Sequence, residues 1–89
     1  MEQSEIIKAA RFSIRNREQI KASEMVGCYY CLEIYPSRYL KEEDFNCDGG
    51  RTALCQFCGI DSVLGDASPY LIEKDTLKVL NEHWFGTKK

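Results

Sequence analysis

Histidine is almost absent from this chain of 89 residues, in which His83 is the only one. This scarcity excludes most hydrolase mechanisms, which need a histidine base or several histidine ligands. The sequence also contains no Ser/His/Asp set and no glycine-rich phosphate loop. We expect His83 near the end of a helix, where its positive form would suit the helix dipole.

Long apolar runs and an excess of positive charge are also missing. No stretch approaches the roughly 18 apolar residues that a membrane span needs, and the first residues are too polar for a signal peptide. We therefore expect a cytoplasmic protein. The formal net charge of −2 is a poor background for generic nucleic-acid binding, because that binding depends mostly on clustered lysine and arginine.

Cysteine, by contrast, is well represented in this chain. Four of its five cysteines form two Cys-x-x-Cys pairs, Cys28 with Cys31 and Cys55 with Cys58. Such pairs converge on one tetrahedral ion when the loop between them folds back. A chain this short has a marginal core, so a metal is a typical source of extra stability. The spacing predicts one structural Zn2+ ion, held by all four sulfurs with no open position for a substrate.

Other interpretations of the cysteines stay open at this point. An iron–sulfur cluster uses the same four sulfurs, and a single Cys-x-x-Cys pair also occurs as a redox dithiol. Disulfides fit less well, because cytoplasmic thiols stay reduced and five is an odd number. The fifth cysteine, Cys47, is interpreted as a free thiol, with a substitute ligand as the alternative.

The periodicity of the chain predicts helices at both ends. A first helix is expected over 3–12, with Ile7, Ala10 and Ile14 facing the core. Asn16 is expected to cap a second, short helix. Leu77, Leu80 and Trp84 predict a terminal helix over roughly 74–85. Strands are expected within 28–35 and at 52–54.

These elements predict an α+β fold, namely one small zinc-stabilised, treble-clef-like domain over 1–89. It consists of a helical N-terminal segment (1–26), the zinc knuckles with a hairpin (27–64), and a loop with the C-terminal helix (65–89). Lys8, Arg11 and Arg15 fall within one narrow stripe of the first helix, and Tyr29 and Tyr30 lie at the first knuckle. These five residues are the candidate partner-binding set.

The motifs G-C-Y-Y-C-L-E-I-Y-P-S and D-G-G-R-T-A-L-C-Q-F-C-G-I-D-S-V-L-G, with the terminal W-F, resemble a family of small, uncharacterised bacterial cytoplasmic proteins with two Cys-x-x-Cys knuckles. The resemblance covers about 16–85 and implies a zinc protein without implying an activity. More distantly, the layout is similar to the treble-clef frame of HNH nucleases. The chain departs from that frame because it has no histidine between Cys31 and Cys55.

We therefore expect a non-enzymatic interaction module that binds another protein, with a second copy of the chain as one open partner. The alternative is a nucleic-acid-binding zinc finger that uses the basic face of the first helix. A degenerate HNH-type nuclease is the third interpretation.

Overall fold

The computed structural model describes residues 3–45 and 48–86. Within them, three α-helices surround a three-stranded antiparallel sheet, which confirms the α+β class. In chain order the elements are α1 (Gln3–Phe12), α2 (Arg17–Lys21), β1 (Met25–Cys28), β2 (Ile34–Pro36), β3 (Val63–Gly65) and α3 (Lys74–Phe85). Short 3-10 turns at Ser37–Tyr39, Glu42–Asp44 and Asp48–Gly50 connect β2 to the second cysteine pair.

Strand β1 lies at the centre of the sheet, in the order β2-β1-β3. Val26 pairs with Tyr35 of β2 and with Gly65 of β3. The second cysteine pair is followed by β3 and a loop, and α3 begins only after them. The treble-clef arrangement therefore stays a prediction.

The two faces of the sheet cover two separate cores, because successive side chains of a strand point to opposite faces. Val26 and Val63 belong to a core that includes Cys28 and Cys55. Leu64 belongs to the other core, which contains side chains of α1 and α3. The cysteines thus lie on one face of the sheet and the two long helices on the other.

Gly27 allows α3 to approach β1 closely. A Cβ atom at this position would lie 2.9 Å from Cδ1 of Leu77 and 3.0 Å from Cγ2 of Ile72. Gly27 lies within β1. Its role is to leave space for α3.

The predicted inner face of α1 is wrong, although the helix itself is present. The buried side chains are Ile6 and Ala9, whereas Ile7 is 47% exposed and Ile14 is 45% exposed. Ala10 is half-buried. Apolar residues occur on both sides of this helix, and its packing against α3 decides which side is buried.

Asn16 precedes α2 as predicted, but its side chain does not cap that helix. Its Nδ2 donates to the carbonyl of Val63 at 2.8 Å, and its Oδ1 accepts from the amide of Ala53 at 3.1 Å. The predicted strand at 52–54 is absent from the described structure, apart from a single bridge at Thr52. Asn16 supplies the link between this segment and β3 instead.

Helix α3 spans Lys74–Phe85, which confirms the prediction. Leu77 and Leu80 are fully buried, but Trp84 is 39% exposed, and its indole N–H donates to the carbonyl of Ile6 at 3.3 Å. Trp84 therefore lies at the edge of the core instead of inside it. None of the helices in the described part of the chain is long and apolar enough to cross a membrane.

Candidate metal centre

The first cysteine pair forms a turn at the end of β1. The amide of Leu32 donates to the carbonyl of Cys28 at 2.8 Å, and the amide of Cys28 donates to the carbonyl of Glu33 at 3.0 Å. The amide of Tyr30 lies 3.4 Å from Sγ of Cys28 and donates to it. Leu32 adopts a positive φ of 67° to close the turn. The backbone therefore directs a donor at the sulfur.

The second cysteine pair repeats the same turn. The amide of Gly59 donates to the carbonyl of Cys55 at 2.8 Å, and the amide of Cys55 donates to the carbonyl of Ile60 at 3.0 Å. The amide of Phe57 donates to Sγ of Cys55 at 3.4 Å. Gly59 has a positive φ of 77°, at the position that Leu32 takes in the first turn. We call these two turns the first and second knuckle.

The two knuckles bring the four sulfurs together. Sγ of Cys28 lies 3.6 Å from Sγ of Cys58, and Sγ of Cys31 lies 3.7 Å from Sγ of Cys55. All four ligand atoms lie within 4.8 Å of one another. Sulfurs at about 2.3 Å from one tetrahedral ion are about 3.8 Å apart. The four cysteines are therefore positioned to hold a single metal ion.

The crowding of the sulfurs changes their protonation. The hydrogen bond with Cys55, together with burial, raises the pKa of the Cys28 thiol well above its ordinary value. The contact with Cys28 lowers the pKa of Cys55 to about 4, and burial raises the pKa of Cys58 to about 11. Cys28 and Cys58 therefore keep their protons at neutral pH until a cation displaces them.

Two hydroxyl groups complete the surroundings of the sulfurs. The hydroxyl of Tyr35 donates to Sγ of Cys55 at 3.4 Å and accepts from the amide of Gln56 at 3.3 Å. Oγ of Ser62 lies 3.0 Å from Sγ of Cys28. Burial, the largest cause, raises the pKa of Tyr35, so its hydroxyl remains a donor. Groups of this kind orient ligands and tune their affinity for a metal.

Tyr35 and Ser62 were not predicted to contact the sulfurs, although a signal for them exists in the sequence. Tyr35 lies four residues after Cys31, and Ser62 lies four residues after Cys58. The shared offset would have indicated equivalent positions in the two knuckles.

His83 is outside this site. It is exposed on α3, where its ring lies 4.8 Å from that of Trp84. Cys47 falls outside the described residues. Within residues 3–45 and 48–86, no other group of three His, Cys, Asp or Glu side chains is close enough to hold a metal.

Two of the three basic candidates lie on α1, on the face of the sheet away from the cysteines. Lys8 and Arg11 are exposed on α1. Arg15 is exposed in the turn after α1, where its amide donates to Oγ1 of Thr52 at 2.7 Å and its φ is 47°.

The two candidate tyrosines have different environments. Tyr29 is only 4% exposed, and its hydroxyl lies 3.0 Å from Oγ of Ser13. Burial raises its pKa. Tyr30 is 46% exposed and packs edge-on against Phe85, with ring centroids 4.7 Å apart. The structure therefore makes Tyr29 a core residue and leaves Tyr30 as the exposed ring of this pair.

Comparison with models of known families, with curated proteins and with solved structures gave no significant match.

Proposed function

We propose that the four cysteines bind one structural Zn2+ ion and that the zinc-bound domain is a non-enzymatic module that binds another protein. The cluster of four sulfurs carries the zinc part of this proposal. Four thiolates around one tetrahedral ion form a closed site, which stabilises a fold instead of binding a substrate. The treble-clef description belongs to this proposal. So does a reducing cytoplasm, where the thiols stay available as ligands.

The sulfur spacing favours one ion over the alternatives. Two short sulfur contacts join different knuckles, Cys28 with Cys58 and Cys31 with Cys55, and all four sulfurs lie within 4.8 Å of one another. A redox dithiol would instead pair the two cysteines of one knuckle. A cluster of several iron and sulfide atoms would also have to spread the sulfurs apart. Native mass spectrometry of protein purified under reducing conditions tests the proposal, which requires one zinc per chain and no iron or sulfide.

An exposed strip on α1 supports the protein-binding part. The strip consists of Ile7, Lys8 and Arg11, which are exposed on α1, together with Ile14 and Arg15, which are exposed in the turn after α1. Ile7 and Ile14 are each close to half exposed. Apolar side chains rimmed by charges are typical of protein interaction sites. The partner that fits this strip presents apolar side chains together with carboxylates.

Site-specific photo-crosslinking in cells tests this surface. A photoreactive amino acid at Ile7 should give a defined crosslink to one protein, whereas the same group at exposed Lys78 of α3 should not. The isolated partner should then bind the purified zinc-loaded protein at least about tenfold more weakly after Arg11→Glu. Crosslinks at Ile7 that go only to nucleic acid, or a partner unaffected by Arg11→Glu, would overturn the proposal.

Nucleic-acid binding is the alternative function for this strip. Of its two candidate aromatic rings, Tyr29 is buried and therefore cannot stack on a base. The nuclease alternative lacks a histidine between the cysteine pairs. DNA cleavage by the zinc-loaded protein with added magnesium or manganese would overturn the non-enzymatic proposal.

A further inference from the structure

A second surface has a different chemistry from the α1 strip. It begins at a cavity of about 420 Å³ lined by Arg38, Tyr39, Lys41 and Gln56. A second cavity of about 260 Å³ shares Arg38 with the first and adds Lys21 among its lining residues. We call these two cavities the Tyr39 groove. Along it, three cations accompany one exposed aromatic ring.

The cations at the first cavity are available for an anion. Within the described residues, neither Arg38 nor Lys41 forms an ion pair with a carboxylate. The carboxylate of Glu42 is held by Arg17 and by Lys21, whose Nζ lies 3.6 Å away. Asp44 accepts from the amide of Lys41 at 2.9 Å, Glu43 is exposed in the same 3-10 turn, and Glu24 lines a third cavity together with Arg38. The side chains that line the two cavities of the groove nevertheless include three cations and no carboxylate.

The exposed ring of the groove is held in place by the metal centre. Tyr39 is 42% exposed and stacks on buried Tyr35, with ring centroids 6.1 Å apart. Phe57 of the second knuckle is 56% exposed and packs edge-on against Tyr35 at 5.0 Å. The hydroxyl of Tyr35 in turn contacts Cys55. A bound metal would thus fix the ring against which a ligand stacks.

The guanidinium of Arg38 lies over this ring, with its Cζ 5.8 Å from the ring centroid of Tyr39. A cation next to an exposed aromatic ring matches the two parts of a nucleotide, a phosphate and a flat base. Proteins that bind single strands combine a basic groove with rings on which bases stack. Because every base has a flat face, this type of binding tolerates many sequences.

We propose that the Tyr39 groove binds a short segment of single-stranded nucleic acid. Tyr39 stacks on a base, and Arg38 and Lys41 contact phosphates in the first cavity. This site lies apart from the α1 strip and does not depend on a protein partner there. An acidic peptide satisfies the cations but leaves the ring unused, which is why the nucleotide is the better ligand.

Fluorescence anisotropy with the zinc-loaded full chain tests the proposal. The probes are fluorescein-labelled oligothymidylate and oligouridylate of about eight nucleotides, a length within the range of known single-strand sites. We expect binding at low salt that weakens about 5- to 150-fold in Tyr39→Ala, the usual effect of losing one stacked base. With two phosphate contacts, the logarithm of affinity should fall with the logarithm of salt at a slope of about 1.4.

Matched variants identify the groove. Tyr30→Ala removes a ring that is 46% exposed, close to the 42% of Tyr39, and should leave binding unchanged. Lys41→Glu should weaken binding and reduce the salt slope, whereas Lys78→Glu, the same change on α3, should have little effect. Arg11→Glu on the α1 strip should also have little effect, so this proposal and the proposed protein-binding function can fail separately.

Zinc content and a thermal melt of each variant confirm that it is folded. Should Tyr39→Ala fail to fold, Arg38→Ala and Lys41→Ala replace it, since both side chains are exposed. The absence of oligonucleotide binding would overturn the proposal. It would also be overturned by equal weakening in the Tyr39 and Tyr30 variants, or by a labelled polyglutamate peptide that binds as tightly as the oligonucleotides.

Discussion

Tyr35 and Ser62 occupy equivalent positions in the two knuckles, and each serves the other knuckle. Tyr35 follows the first knuckle and its hydroxyl contacts Cys55 of the second, at 3.4 Å. Ser62 follows the second knuckle and its hydroxyl lies 3.0 Å from Cys28 of the first. Each hydroxyl reaches the first cysteine of the opposite pair. Contacts between these hydroxyls and the sulfurs therefore link the two knuckles, in addition to the contacts between the sulfurs.

Removing either hydroxyl should weaken metal binding without unfolding the protein. Tyr35→Phe and Ser62→Ala each delete one polar contact to a sulfur and leave all four ligands in place. The usual effect of losing such a contact is about 10- to 100-fold in metal affinity. Competition against a chromophoric zinc chelator measures it.

Tyr70→Phe is the matched control for these variants. The hydroxyl of Tyr70 donates to the carbonyl of Glu5 at 3.0 Å, on the face of the sheet away from the cysteines. Its loss should cost about 1 kcal/mol of stability and leave zinc affinity unchanged. Equal zinc affinities for Tyr35→Phe and Tyr70→Phe would show that the Tyr35 hydroxyl has no influence on the metal.

Gly59→Ala isolates the backbone cost of the second knuckle. A Cβ atom at Gly59 would have no neighbour within 4 Å, so only its positive φ of 77° opposes the substitution. We expect a loss of about 1–2 kcal/mol, measured by denaturant unfolding of the zinc-bound protein, together with weaker zinc binding. Gly86→Ala at the end of α3 also has positive φ and open space, and it should lower stability alone. A Gly59→Ala protein as stable as the parent would contradict the strain assigned to this turn.

The sequence was sufficient to predict the features that depend on local spacing. The close approach of Cys28, Cys31, Cys55 and Cys58 follows from the two Cys-x-x-Cys pairs. The span of α3 follows from the repeat of its apolar residues. The periodicity of α3 lies within neighbouring residues, and each Cys-x-x-Cys motif spans only four. That the two motifs meet is a distant contact, which was predictable because one tetrahedral ion needs all four ligands.

Other features that depend on distant contacts were not predictable in this way. Helix α1 has apolar residues at both Ile6 and Ile7, and its periodicity alone does not decide between the two faces. The choice depends on α3, whose Trp84 donates to the backbone carbonyl of Ile6 although the two residues are far apart in the sequence. Asn16 was expected to cap α2 because it precedes that helix, but its true partners lie near the second knuckle and in β3. Short-range rules do not include such partners.

Asn16→Asp should be strongly destabilising even though the two side chains have nearly the same shape. Asn16 is only 3% exposed and uses its amide group both to donate to Val63 and to accept from Ala53. A carboxylate keeps the second contact but places a buried acceptor against the carbonyl of Val63. Leaving such groups unpaired costs about 1–3 kcal/mol, and more when a charge is involved. Denaturant unfolding of the zinc-bound protein measures the loss.

Asn81→Asp provides the comparison for that substitution. The amide of Asn81 also donates to backbone carbonyls, those of Tyr29 and Tyr30, but Asn81 is only half-buried. Water reaches the new carboxylate there, so we expect a smaller loss than at Asn16. Equal losses at the two positions would mean that burial of the Asn16 bridge contributes nothing specific.

Metal binding should strengthen as pH rises. Before a metal binds, the pKa of Cys28 is raised and that of Cys58 is raised to about 11, so both hold protons at neutral pH, whereas the lowered pKa of Cys55 leaves it ionised. Zinc must therefore displace at least two protons, and its affinity should rise at least about 100-fold per pH unit near neutrality. Because metal affinity is also folding free energy in such domains, the stability of the zinc-bound fold is present at neutral and higher pH and is lost on acidification. Chelator competition at about pH 6 and about pH 8, corrected for the chelator's own protonation, measures the slope.

Removal of zinc at neutral pH should abolish the cooperative melt seen by circular dichroism, and so should Cys28→Ser, because metal affinity is folding free energy in such domains. An unchanged melt in either case would show that the stability of the fold does not depend on a metal at the cysteines.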